Sequence, residues 1–215
     1  MKPRYQANFM PDLFSWRELE LMINMASFLN PSNCVIDPKE AGKLQWDMPS
    51  WNVNKEEMPV GLFEELMNKV GVFYFVDCSR FKKEFNDFAS HLEEEEKIPF
   101  DTHVYVHYKN LQKPHPFGCH WDLHSNVIIQ CEGSTHWMVY PKINPVTKTQ
   151  QSHLHIDEDP IIDIVLNPGD AIWIPRYYPH HAISKEKRIS LSFAGTHHSS
   201  LETQNYKDRT WISLI

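Results

Sequence analysis

The chain has 215 residues, of which 41% are hydrophobic, 13% aromatic and 23% charged, with a formal net charge of -7. That length suits one domain, 1–215, with a sizeable core, and the composition excludes a disordered chain. The mild acidity argues against a nucleic-acid protein, which carries a basic stripe, and against steering toward an anionic membrane. The N-terminus, Met1 to Gln6, lacks the apolar core of a signal peptide. No apolar run approaches the ~20 residues needed to span a bilayer. A soluble, cytoplasmic protein is therefore expected.

In chain order, the first hundred residues read as mainly helical. Ser15-Trp16-Arg17-Glu18 is a capping box, in which Ser15 and Glu18 satisfy free N–H groups at a helix start. Leu19, Leu21, Met22, Met25, Ala26 and Leu29 follow at helical spacing, and Pro31 and Asn33 end that helix. Residues 32–59 are polar and carry Pro38, Pro49 and Pro59, which predicts an irregular connection. A second helix is predicted from Val60 to Lys69, a β-rich run from Val70 to Val76, and a third helix from Ser79 through Phe81, Phe85, Phe88, Ala89 and Leu92. Glu93 to Glu96 end that helix on a solvated face. From Asp101 the pattern changes to short β-branched and aromatic runs separated by turn signals. They are Thr102–Tyr108, Asn126–Cys131, His136–Tyr140, Ile161–Leu166, Ala171–Ile174 and Arg188–Phe193. Such spacing without intervening helices fits a small barrel or jelly roll, and Asn167-Pro168-Gly169-Asp170 is a turn within it. The expected architecture is mainly β with flanking helices: a helical region, 1–100, packed outside a barrel, 101–215. The helical region is open to two uses, shaping a substrate groove or forming a homodimer interface.

With only 7 glycines, the sequence contains no phosphate-binding glycine loop. Cys34, Cys78, Cys119 and Cys131 form no C-x-x-C pair, so reduced, buried thiols are expected in place of a structural zinc site. Thirteen histidines are the unusual feature. Gly118-Cys119-His120-Trp121-Asp122 contains H-x-D. In an extended segment, residues i and i+2 point to one side, so His120 and Asp122 can reach one ion. A second histidine would complete a two-His, one-carboxylate face, the arrangement of non-haem Fe(II) oxygenases. The segment Asn167 to Ala182 is a turn, a hydrophobic strand and a proline-bounded aromatic loop ending in His180-His181. Neighbours on a strand face opposite sides, so one of these two points inward; periodicity does not say which. A second H-x-D, His155-Ile156-Asp157, lies in a polar stretch too close to His180 for the intervening strands, and reads as a loop. His124 is near enough to Asp122 to support it. Trp121, Tyr177 and Tyr178 are pocket-wall candidates, and Trp173 reads as core.

Residues His120 to Gly133, followed by His136-Trp137-Met138-Val139-Tyr140-Pro141 and by Pro175 to His181, resemble the JmjC family of 2-oxoglutarate-dependent oxygenases, and most closely its protein-hydroxylase branch. The resemblance runs from about Tyr105 to Phe193. It carries H-x-D, an asparagine, a hydrophobic strand ending in Q-x-x-G, a strand ending in tyrosine and proline, and the distal-ligand loop. It implies a double-stranded β-helix of the cupin type, with Fe(II) held by His120, Asp122 and His180. It implies 2-oxoglutarate and O₂ as cosubstrates, with Asn126 and Tyr105 beside the 2-oxoglutarate. Decarboxylation to succinate and CO₂ would accompany hydroxylation of a C–H bond on a protein or small-molecule substrate. The family usually places a lysine or arginine two residues after the glycine, to bind the far carboxylate; here that position is Thr135. A buried carboxylate needs a cation. Arg188, in Arg188-Ile189-Ser190, is the expected substitute, sharing a strand face with Ser190. His136 is the weaker candidate, and a solvated rim position for Arg188 is the rival reading. Two other functions stay open: a cupin metalloenzyme that uses no 2-oxoglutarate, which Thr135 favours, and a binding module with a degenerate site. Hydroxylation is expected over histone demethylation, because the chain shows no chromatin-reader segment and no basic surface.

Overall fold

The computed structural model describes residues 2–24, 34–36, 64, 67–68, 72–76, 78–108, 118–144, 154–184 and 186–195. Its strands are β1 (Arg4–Gln6), β2 (Cys34–Ile36), β3 (Val72–Phe75), β4 (Phe100–His107), β5 (Asn126–Glu132), β6 (Thr135–Val139), β7 (Ile162–Leu166), β8 (Ala171–Ile174), β9 (His180–Ile183) and β10 (Arg188–Gly195). Two helices, α1 (Trp16–Asn24) and α2 (Lys83–Glu96), complete the described elements. Seven strands form one sheet in the order β1-β8-β5-β10-β4-β3-β2, and three form a second in the order β7-β6-β9. The pairings are antiparallel throughout. This is the double-stranded β-helix that the sequence led one to expect.

The central strand, β10, shows how the sequence builds the barrel. All eight of its residues are buried. Side chains alternate across a strand, and here the alternation separates two chemistries. Ile189, Leu191 and Phe193 face the larger core, where they meet Phe14, Leu19 and Met22 from around α1 and Phe85, Ala89 and Leu92 of α2. Arg188, Ser190 and Ser192 face the interior of the barrel. The two helices therefore cover the outside of the large sheet, and each large apolar side chain fully buried there contributes about 1.5–3 kcal/mol. A second, smaller core of Ile128, Trp137, Val139, Leu166, Ile172, Ile174 and Tyr178 lies between the sheets.

The capping box forms as the sequence predicts. The Ser15 backbone N–H donates to Glu18 Oε2 at 2.9 Å, and the Glu18 N–H donates to Ser15 Oγ at 3.3 Å. Lys82, just before α2, donates to Leu13 O at 2.8 Å and to Glu18 Oε1 at 2.7 Å, so the starts of the two helices are tied together.

Three expectations are amended. The region before Phe100 carries both helices but is not helical alone, because β1, β2 and β3 join the large sheet. β1 and β2 are three residues long, too short for alternation to declare them, whereas β3 lies within the predicted β-rich run from Val70 to Val76. The third helix starts at Lys83 and not at Ser79; Ser79 lies in a turn, and its hydroxyl meets that of Thr102 at 3.1 Å. β9 was not expected as a strand, since the prolines before it read as loop. The predicted helix from Val60 to Lys69 and the end of the first helix, from Met25 to Leu29, fall almost wholly outside the described residues.

Candidate active site

His120 and His180 are sixty residues apart in sequence. An isolated antiparallel bridge joins their backbones. The His120 N–H donates to His180 O at 3.0 Å, and the His180 N–H donates to His120 O at 2.7 Å. Residues that exchange both bonds lie directly opposite with side chains on the same face, and the two rings stand 4.3 Å apart. Asp122 follows His120 by one alternation, and its carbonyl accepts the Tyr177 N–H at 3.0 Å, which anchors the segment to the distal loop. Tyr177 makes that turn with a positive φ of 69°. One ligand atom from each of His120, Asp122 and His180 lies within 4.8 Å of the others.

Both histidines are oriented in the same way. Nδ1 of His120 lies 3.2 Å from Gly118 O, and Nδ1 of His180 lies 3.0 Å from Tyr178 O. A carbonyl only accepts, so each Nδ1 carries the proton and each Nε2 presents a lone pair. Burial, followed by the neighbouring His120, lowers the pKa of His180 from 6.5 to about 4, while Asp122 pulls the other way. The ring is neutral at pH 7, so the 3.4 Å approach of its Nε2 to Asp122 Oδ2 is no salt bridge. Two acceptors this close, with no proton between them, repel unless a cation lies near both. Two histidines and a carboxylate are also the donor set that leaves positions open on non-haem Fe(II). The residues fit that metal.

Asn126 fixes the carboxylate. Its Nδ2 donates to Asp122 Oδ2 at 2.7 Å, and its Oδ1 accepts from Ser192 Oγ at 3.2 Å. The triad opens into a cavity of about 570 Å³, whose lining includes Tyr74, Tyr105, Trp137, Arg188, Ser190 and Ser192. Tyr105 stacks on Tyr74 with ring centres 4.9 Å apart. Burial first, then the Asp122 charge, raises the Tyr105 pKa above its usual value, so it remains a neutral phenol.

Arg188 is the cavity's buried cation, 6% exposed. Burial lowers its pKa to about 10, with Tyr105 opposing, so it stays charged at neutral pH. Its Nη1 donates to Ser190 Oγ at 2.9 Å, while Nε has no hydrogen-bond partner among the described residues. No carboxylate pairs with it among the described residues. An uncompensated buried charge is costly, and the ligand that relieves it is an anion.

The structure thus brings His120, Asp122, His180, Tyr105, Asn126, Arg188 and Ser190 to one cavity. Thr135 is buried at the start of β6 and is not among the lining residues. His136 pairs with Asp163 on the surface, and His155 pairs with Asp157 at 2.9 Å on a strongly exposed loop. His124 does line the cavity, and His181 does not. Trp173 packs in the larger core. Sequence reasoning left out Ser192, Tyr74 and Trp137. Ser192 was findable, since it continues the alternation of Arg188 and Ser190; Tyr74 and Trp137 needed the strand pairing.

Known proteins resemble this chain in sequence and in fold. The bifunctional lysine-specific demethylase and histidyl-hydroxylase NO66 of Drosophila persimilis is 35% identical over 77 residues, which are 35% of this chain and 11% of that protein. Ribosomal oxygenase 1 of Homo sapiens is 27% identical over 119 residues, 53% of this chain and 17% of that one. The match spans about a tenth to a sixth of these relatives' own length. Two structures of YcfD from Escherichia coli share the fold. One has a TM-score of 0.54 at 17% identity, covering 94% of this chain and 51% of YcfD. The other, of the ribosomal oxygenase in complex with cobalt and 2-oxoglutarate, has a TM-score of 0.53 at 18% identity, covering 94% and 50%. Residues 78–203, more than half of the chain, match the model of the JmjC domain, and with the barrel and its triad in place, this chain belongs to the JmjC domain family.

Proposed function

We propose that this protein is an Fe(II)- and 2-oxoglutarate-dependent oxygenase that hydroxylates a protein side chain. One observation carries the reading: a two-His, one-carboxylate cluster shares a cavity with a buried arginine that lacks an acidic partner among the described residues. A 2-oxo diacid fits both ends, with its oxo acid at the metal and its far carboxylate at Arg188. This arrangement also speaks against a cupin enzyme with no such cosubstrate, for which a buried unpaired arginine would be a cost without a use.

His120 and His180 would hold the metal through Nε2, and Asp122 through its carboxylate. Asn126 restrains that carboxylate by donating to Oδ2. Bound Fe(II) would supply O₂ activation coupled to decarboxylation of 2-oxoglutarate to succinate. Arg188 binds and orients the far carboxylate in a charge-assisted pair. Tyr105 offers a neutral O–H donor beside it. Tyr74 and Trp137 wall the cavity and keep bulk water from the reacting centre.

The names of the relatives, a histidyl-hydroxylase and lysine demethylase and a ribosomal oxygenase, support a protein substrate. We further place the protein in the cytoplasm. Free thiols at Cys78, Cys119 and Cys131 suit a reducing compartment, and no helix of the described residues is long and apolar enough to cross a membrane.

The test is calorimetric titration of 2-oxoglutarate into anaerobic, Fe(II)-loaded protein. The wild type is expected to bind saturably. Asp122→Ala should lose the metal and with it 2-oxoglutarate turnover. Arg188→Met should keep the metal but bind 2-oxoglutarate at least tenfold more weakly, the scale expected for loss of a charged hydrogen bond. Wild-type protein that holds iron yet binds no 2-oxoglutarate would sink the reading.

A further inference from the structure

Arg188 does not hold its own position. Its Nη1 donates to Ser190 Oγ at 2.9 Å, and Ser190 Oγ donates to Gln130 Oε1 at 2.8 Å. Gln130 Nε2 in turn donates to the backbone carbonyls of Glu132 at 2.8 Å and Gly133 at 3.3 Å. Gln130 is fully buried, and Ser190 is 1% exposed. The direction of every bond is fixed. An arginine only donates and a carbonyl only accepts, so the serine proton goes to the glutamine oxygen and the amide hydrogens go to the carbonyls. The chain of bonds starts at rigid backbone and ends on the guanidinium.

The backbone around it is irregular in one place. Ser190 opposes Gln130 on β5, but Ile189 opposes Glu132, so Cys131 is an extra residue. Regular pairing would set Glu132 across from Arg188, a cross-strand ion pair that would neutralise the arginine. The bulge moves Glu132 one place along. The turn at Gly133 then approaches Lys187 and Arg188 so closely that a Cβ at Gly133 would lie 2.0 Å from Lys187 O. Bulges near active sites commonly re-aim side chains in this way.

We propose that Gln130 is a positioning residue. Acting through Ser190, it aims Arg188 into the cavity and so sets the preference of the site for 2-oxo diacids over 2-oxo monoacids. The proposal rests on the 2-oxoglutarate reading above. Gln130 is not among the residues that line the cavity, so its effect on a ligand passes through Arg188.

The experiment compares the affinities of 2-oxoglutarate and pyruvate for anaerobic, Co(II)-loaded wild-type, Gln130→Leu and Ser190→Ala proteins. Pyruvate has the oxo acid and no far carboxylate, so it reports the metal end alone. The expected result for Gln130→Leu is a loss of about tenfold in 2-oxoglutarate affinity, since a neutral bond that orients a charged one is removed. Pyruvate affinity and the Co(II) absorption spectrum should stay unchanged. Ser190→Ala should also weaken 2-oxoglutarate binding, and Gln130→Met, which keeps the side chain's length without its polar ends, carries the test if the leucine variant does not fold. Equal losses for both ligands, or no loss for either, would overturn the positioning role while leaving the 2-oxoglutarate reading intact. Wild-type protein that binds pyruvate and 2-oxoglutarate equally would overturn the diacid preference itself.

Discussion

His180 shows how one residue meets two requirements through its surroundings. The ring must be neutral to ligate a metal, and burial makes it so by holding its pKa near 4. In the unfolded chain the same ring protonates near 6.5. Between these values the unfolded state binds more protons, so the stability of the metal-free protein falls as pH drops from about 6.5 toward 4. Melting temperatures at pH 7 and pH 5 check this. The metal-free wild type should lose more on acidification than His180→Gln, and equal losses would mean that His180 is not held neutral. Asn126 solves a related problem, since both ends of its amide are committed to Asp122 and Ser192. It acts on the Asp122 carboxylate by that route, beside the cosubstrate position that the family resemblance implied.

Among the elements, β10 and the bulged end of β5 do most to shape the site. β10 presents an apolar face to the helices and a polar face to the cavity, so a shift of one residue would exchange the two. Gly133 holds the adjoining turn at a φ of +64°, a conformation that costs little for glycine and strains other residues. Gly133→Ala combines that strain with the clash at Lys187 O, and should cost about 1–3 kcal/mol of stability in urea denaturation. Because the clash falls beside Arg188, 2-oxoglutarate binding should weaken as well, while Co(II) binding should not. Unchanged stability would show that the turn has room that its backbone geometry denies.

Over the whole molecule, one buried carboxylate adds to the β1–β8 pairing in fastening the N-terminal segment to the barrel. Asp170 accepts from the Asn8 N–H at 2.9 Å, the Asn167 N–H at 3.0 Å and the Tyr5 hydroxyl at 3.2 Å. It joins the turn before β8 to the end of β1, more than 160 residues away in sequence. Removing the carboxylate takes away three hydrogen bonds, each worth about 1 kcal/mol net. Asp170→Ala should therefore lower the melting temperature and speed hydrogen exchange at the Asn8 amide, with the metal site preserved. Slow exchange at Asn8 in that variant would show that the β1–β8 pairing holds the segment without help.

The sequence by itself determined the local features: the Ser15–Glu18 capping box, the core strands of the barrel, the turn at Asn167 to Asp170 and the convergence of His120 with Asp122. Each follows from alternation or from hydrogen bonds within four residues, which a reader of the chain can count. With the family resemblance added, the sequence also named His180 and proposed Arg188 in place of the basic residue missing at Thr135. Local pattern does not separate His180 from His181, which inherit the same alternation; the resemblance selected His180, and the tertiary structure supplied the physical reason, the bridge to His120. The tertiary structure alone decided that Arg188 is a buried cation and not a solvated rim residue, because a strand buried on both faces conceals which side is the cavity. The bulge at Cys131, and the recruitment of β1, β2 and β3 to the large sheet, rest on pairings between distant residues, whose register no local period records.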